Sequence, residues 1–166
     1  MDHPPRINIS RSDYERALAK WKAQKIEEYE ISTYLDAFPG RTSNLHVNDY
    51  GNNVEEAITN TSPLPEMSEE DRRYRESEEY ANSLKRDTVE GLFARIDALL
   101  KNRDAIESAA WMGAGHFYMQ YTVGFDLGLG YPNHITGRPI TDPGSYVNDA
   151  DWDETVTNLK IIKQGK

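Results

Sequence analysis

Tyr121–Ile135 reads Y-T-V-G-F-D-L-G-L-G-Y-P-N-H-I, and how this stretch is read decides the fold. Phe117, Met119, Tyr121, Val123 and Phe125 alternate with His116, Tyr118, Gln120, Thr122 and Gly124, the period of a strand with one apolar face. Its length and apolar content predict a central strand. Gly130-Tyr131-Pro132 then pins a glycine-rich crossover, with Gly128 and Gly130 serving backbone geometry and Pro132 the strand exit. His134–Ile140 is a second extended segment. Thr141–Trp152 reads as a loop of Asp, Pro, Gly and Asn, and the acidic return N-D-A-D-W-D-E at Asn148–Glu154 leads into a closing strand at Thr155–Lys163.

Upstream of this stretch, Val89, Leu92, Phe93, Ile96, Leu99 and Leu100 form a continuous apolar stripe at helical spacing, opened by a capping-box layout at Asp87-Thr88-Val89-Glu90. That helix has to lie on the sheet. Lys101–Ala110 reads as polar connector, and Trp111–Gly115 as a flexible entry to the next strand. Ser68–Arg86 is the most charged block and is predicted as one surface helix, inside a charged insertion spanning residues 63–86. Asn60–Glu66, broken by Pro63 and Pro65, reads as a linker.

The N-terminal half repeats the pattern of helix and then strands. Residues 1–11 are predicted to be a flexible tail. A capping box at Ser12–Glu15 is predicted to open a helix that carries Tyr14, Ala17, Leu18, Trp21 and Lys25 on one face. From Glu28 the period falls to two: Tyr29, Ile31, Thr33 and Leu35 oppose Glu28, Glu30, Ser32 and Tyr34. Leu45, Val47 and Asp49 mark a second strand. Asp49–Asn53 supplies residues that tolerate positive φ, so a hairpin into Val54–Thr59 is expected. Short connections favour antiparallel pairing. The fold class is therefore α+β: a mainly antiparallel sheet of five to six strands with two main helices on one face, forming one domain over residues 12–163.

The chain has 166 residues, enough for one core that buries roughly 70% of the unfolded surface. A formal net charge of −9 repels phosphate backbones and excludes nucleic acid as an expected partner. Cysteine is absent, which excludes disulfides, thiol nucleophiles and Cys-ligated zinc. No apolar run reaches the ~18 residues of a membrane span, so this segment is not expected to insert.

Several pieces in order resemble one family. They are the Trp21 helix running into Tyr29-Glu30-Ile31, the hairpin V-N-D-Y-G-N-N-V, T-V-E-G-L-F-A-R-I, the Tyr121–Ile135 stretch and D-W-D-E-T-V. The chain resembles, from about Trp21 to Leu159, small bacterial domains of unknown function that are often exported or lipid-anchored. Their pattern is T-V-x-x-L-F, Y-D-x-x-x-G-Y-P and D-D-E. Phe125-Asp126 departs from the usual Tyr-Asp, the Thr141–Ala150 loop is longer, and Pro63–Arg86 is inserted. The resemblance implies a compact α+β fold and a periplasmic or cell-surface location, with a cytoplasmic location as the alternative because the start M-D-H-P-P-R-I-N-I-S lacks the apolar region of a secretory signal; it carries no catalytic residue and no cofactor.

Candidate chemistry is sparse. Asp149, Asp151, Asp153 and Glu154 suggest calcium, but an EF-hand register from Asp149 puts Glu154 at the glycine position and Lys160 at the bidentate one. Such a cluster also serves as a turn whose carboxylates cap backbone N–H groups. His3, His46, His116 and His134 lack the spacing of a metal pair, and no phosphate loop, dinucleotide fingerprint, G-x-S-x-G or H-E-x-x-H occurs. Trp111, Tyr118, Tyr131, Tyr146 and Trp152 gather near the C-terminal strands, as in a contact surface for a protein or a glycan. The leading expectation is a non-enzymatic extracytoplasmic binding domain. The alternatives are a small hydrolase or isomerase with an acid/base site near His116, Asp126 and His134, and a structural subunit of an envelope assembly.

Overall fold

The computed structural model describes residues 6–37, 40–57, 68–108, 117–141 and 152–165. In chain order the elements are β1 (Arg6–Ile7), α1 (Arg11–Ala23), β2 (Ile26–Asp36), β3 (Arg41–Asn48), β4 (Asn53–Glu56), α2 (Glu69–Arg75), α3 (Glu78–Lys85), α4 (Val89–Ser108), β5 (Phe117–Phe125), β6 (Pro132–Thr141) and β7 (Trp152–Gln164). A 3-10 turn at Asp49–Gly51 joins β3 to β4. The sheet order is β1-β5-β6-β7-β2-β3-β4. Two three-stranded meanders, β2-β3-β4 and β5-β6-β7, thus meet where the first strand of one pairs antiparallel with the last strand of the other. The fold is α+β. Six strands are mutually antiparallel, and the two-residue β1 adds a parallel pairing with β5.

Strand alternation sorts the side chains as the sequence pattern requires. Tyr29, Ile31 and Thr33 of β2, Leu45 and Val47 of β3, Val123 of β5 and Ile135 of β6 are buried toward the helices. They meet Tyr14, Ala17 and Trp21 of α1 and Val89, Leu92, Phe93, Ile96 and Leu100 of α4 in one core. The other face is polar, with Asn44, Asn158, Thr155 and Lys160 exposed on it. His46 stands there between Glu28 at 2.6 Å and Glu55 at 2.9 Å. Hydrogen bonds that Glu55 and then Glu28 accept from it raise its pKa. Among the described residues no helix is long and apolar enough to cross a membrane.

Several sequence expectations change. The residue capping α1 is Ser10, which accepts the Asp13 N–H while Asp13 accepts the Ser10 N–H, so the capping box sits two residues before Ser12. The segment from Arg6 belongs to the fold: β1 pairs with β5, Ile9 is buried, and the Asn8 side chain both donates to Val123 O and accepts from Val123 N. Thr88, rather than Asp87, caps α4 through the Gly91 N–H at 2.9 Å. Residues 101–108, read as connector, continue α4. The charged block is two short helices. Ser77 breaks it by donating to Tyr74 O and accepting the Tyr80 N–H, a local competition with the helix ladder. Strand β5 is next to the edge, and β7 is central. The linker at Asn60–Glu66 lies outside the described residues, and of the loop expected at Thr141–Trp152 only its two ends are described, Thr141 closing β6 and Trp152 opening β7.

The glycine-rich stretch is a tight hairpin turn between neighbouring strands. Asp126 accepts from Gly128 N at 3.0 Å and Leu129 N at 2.7 Å, and the Asp126 N–H donates to Tyr131 O at 2.8 Å. Gly130 has φ +87° and lies against α1, where a Cβ would stand 2.7 Å from Ala17 O and 3.2 Å from Trp21 N. The turn is a buttress for α1.

Candidate functional site

Trp21 is placed by its aromatic neighbours. Its ring meets Tyr29 edge-on at 5.6 Å and Tyr131 at 6.1 Å, while Tyr14 meets Phe93 edge-on at 5.9 Å. The Tyr14–Phe93 contact bridges α1 and α4, and beside it a cleft of about 500 Å³ is lined by residues of both helices. Tyr14, Leu18, Trp21, Phe93, Ala94 and Ile26 give it apolar walls; Lys22, Lys25, Tyr50, Glu90 and Asp97 supply the polar groups. A volume of this size with few polar groups is what small-ligand sites have.

The backbone around the cleft carries strain. Helix α1 ends with Lys25 at φ 51°, a position that glycine usually takes after a helix. Asp49 and Tyr50 are also left-handed, at φ 51° and 55°. Such conformations cost about 1–2 kcal/mol per non-glycine residue. Lys25 and Tyr50 both line the cleft. The Lys25 carbonyl is anchored by Gly165 N at 2.6 Å, so the end of β7 fixes this corner.

Glu90, in the first turn of α4, is the acid best placed in the cleft. Tyr29, fully buried below it, donates its hydroxyl to Glu90 Oε2 and accepts the Val89 N–H at 3.0 Å. Burial, then the charge and hydrogen bond of Glu90, push the Tyr29 pKa far up, so the phenol stays a donor. Gly51 lets the turn backbone approach, since a Cβ there would stand 2.6 Å from the Glu90 carboxyl carbon. Asp97 is already ion-paired: it meets Lys101 at 2.9 Å and Arg11, and these bonds hold its pKa below the usual value.

A second titratable group lies under α4. Asp87 and Glu154 are 4% and 3% exposed, both inside the fold. Arg95 Nη1 is 2.5 Å from Glu154 Oε2 and 3.9 Å from Asp87 Oδ1, and Arg41 is 2.9 Å from Asp87 Oδ2. Burial first, then the hydrogen bond and charge of Glu154, push Asp87 up to about 7, against the pull of both arginines. The proximity of Arg95 is a charge contact without hydrogen-bond alignment: Asp87 Oδ1, Glu154 Oε1 and Arg95 Nη1 are buried without an aligned partner.

No family model, curated protein or solved structure matches the chain.

The residues singled out by sequence are dispersed. Trp111, His116, Tyr146, Asp149 and Asp151 lie outside the described residues, as does the side chain of Tyr118. Tyr131 packs on Trp21. Trp152 lies across Gly137, where a Cβ would meet its indole Nε1 at 2.5 Å, and against Tyr121. Both aromatics close the sheet end. Asp126 is engaged in its turn, and His134 stands over Gly124 on the sheet face away from Val123 and Ile135. Asp153 and Glu154 alternate across β7, so Glu154 turns inward to Arg95 instead of joining an acidic loop. Among the described residues no group of three or more His, Asp or Glu side chains could hold a metal ion. Sequence reading missed Glu90, Lys22 and the Asp87–Glu154 pair. A signal for the cleft is present in N-D-Y-G-N-N, which the sequence reading takes only as a turn, and in the end of the Trp21 helix, which it takes as helix through Lys25, whereas α1 ends at Ala23 and Lys25 has φ 51°.

Proposed function

We propose that this chain is a binding domain that acts without turnover, and that its ligand sits in the α1–α4 cleft. The observation that carries this reading is the cleft itself: an apolar, aromatic-walled space of about 500 Å³ whose rim is held in strained backbone at Lys25 and Tyr50. Strain of this kind persists where surrounding structure enforces it, and it gathers at ligand sites. The aromatic surface expected near Tyr131 and Trp152 gives way to the cleft, because both side chains support the core. The resemblance to small exported bacterial domains supports an extracytoplasmic location, where such a domain would bind a small molecule or the end of a peptide.

The test is a titration with 1-anilinonaphthalene-8-sulfonate, an apolar probe with one anionic group. Saturable one-to-one binding is expected, and Ala94→Trp, which places a large ring on an exposed position of the cleft wall, should abolish it. Absence of saturable binding, or binding unchanged in Ala94→Trp, would overturn the proposal.

A further inference from the structure

We infer that the cleft takes a small cationic amine: an ammonium group on an aromatic or branched apolar body, with the ammonium donating to the Glu90 carboxylate. This inference rests on the cleft being the ligand seat and adds the chemical class of the ligand. The walls determine the body. Tyr14, Trp21, Ile26 and Phe93 line the cleft as largely buried apolar side chains, and a ring or branched chain laid against them leaves water with little polar surface to satisfy.

Glu90 determines the charge. The other acids described on or under α4 each meet a cation: Asp97 meets Lys101 and Arg11, Asp87 meets Arg41, and Glu154 meets Arg95. Glu90 does not. Among the described residues its carboxylate is in no ion pair, and the group that donates to it is the neutral Tyr29 hydroxyl. Its place is fixed from two sides: Tyr29, whose ring meets that of Trp21 at 5.6 Å, holds Oε2, and Gly51 brings the turn that carries Tyr50 against the carboxyl carbon. Trp21 and Tyr50 both line the cleft, so the carboxylate lies in the corner between these walls. A half-buried carboxylate without a cation is costly, and the N-terminal end of α4 offsets only part of that cost. A ligand ammonium supplies the missing cation through a charge-assisted hydrogen bond, about twice as strong as a neutral one. Tyr29, kept a phenol by burial, orients the carboxylate and adds no second negative charge. Lys22 and Lys25 are exposed, so water screens their charges, and the less screened charge of Glu90 decides the sign of the ligand.

The experiment is isothermal titration calorimetry on the full chain with three probes of one shape: naphthylethylamine, naphthylethanol and naphthylpropionate. The amine is expected to bind one-to-one and about tenfold or more tighter than the alcohol, with the propionate weakest. Glu90→Gln, which still accepts from Tyr29, should remove the preference for the amine over the alcohol, with circular dichroism confirming the fold. The same comparison of phenylalanyl-leucine amide with its N-acetyl form separates the sources of the ammonium: binding of naphthylethylamine alone assigns a free amine, and binding of both assigns the ammonium whatever carries it. Equal binding of the amine and the alcohol, or tightest binding of the propionate, overturns the amine class, and this wild-type comparison stands even if the variant does not fold. A preference that survives in folded Glu90→Gln overturns it as well. So does anilinonaphthalene sulfonate binding that is sensitive to Ala94→Trp while none of the three probes binds, an outcome that leaves the cleft standing. If that sulfonate fails too, the cleft reading falls with it.

Discussion

Two residues show how buried polar chemistry shapes this molecule. Tyr29 is wholly buried yet makes two hydrogen bonds, to Val89 and to the cleft acid Glu90, that tie β2 to the start of α4. Tyr29→Phe strands the Val89 N–H and removes the donor to Glu90, so a loss of about 1–3 kcal/mol is expected in chemical denaturation; wild-type stability in this variant would contradict the role. Asp87 has the opposite problem, a carboxyl held beside Glu154 away from water. Its folded pKa of about 7 lies above the ~3.9 of an unfolded aspartate. The stability this group contributes is therefore present in full below about pH 4 and is lost as pH rises through about 7. His46, also raised, changes stability in the same direction near neutrality, so the variant comparison isolates Asp87. Denaturation at pH 5 and pH 8 should show the wild type weaker at pH 8. Asp87→Asn should flatten that difference by an amount on the order of 3 kcal/mol at most. An unchanged slope would remove Asp87 as its source.

At the scale of elements, local pattern and non-local contact separate cleanly. The period-two runs in β2, β3 and β5 and the stripe of α4 were legible because each depends on neighbours in sequence. The cap of α1 at Ser10 was missed because Ser12 offers the same chemistry, and only the N-terminal pairing to β5 selects between them. The extension of α4 through residues 101–108 was missed because helix propagation needs no apolar partner once nucleated. The Gly-Tyr-Pro segment was legible as a special backbone, whereas its role as a buttress for α1 was not. That role gives a prediction. Gly130→Ala meets both a positive φ and the backbone of α1, and it should cost about 2–4 kcal/mol. Gly128→Ala, in the same turn but with its nearest atom at 3.3 Å, is the control that should cost much less. Equal effects would mean that the turn does not bear on α1. Gly91 is as constrained without a positive φ, since a Cβ would stand 1.9 Å from Lys85 O where α3 runs into α4.

Over the whole molecule, the two helix-and-meander halves share a sheet through β2 and β7, and their helices share one face of it. The sequence shows the repeat of helix followed by strands; it does not show that α1 and α4 end up side by side, because that follows from the β2–β7 pairing, which joins residues from 117 positions apart (Asp36 with Asp153) to 138 (Ile26 with Gln164). The cleft is a product of this arrangement, which is why residue-by-residue reading placed the binding surface at the aromatic sheet end instead. The polar open face of the sheet is the competing surface of the same molecule. The most direct discrimination is an amide chemical-shift map recorded while anilinonaphthalene sulfonate is added to the isotope-labelled chain. Shifts are expected to concentrate at Leu18, Trp21, Lys25, Tyr50, Glu90 and Ala94; shifts concentrated at Asn44, His46 and Lys160, or spread without focus, would contradict the cleft as the ligand seat.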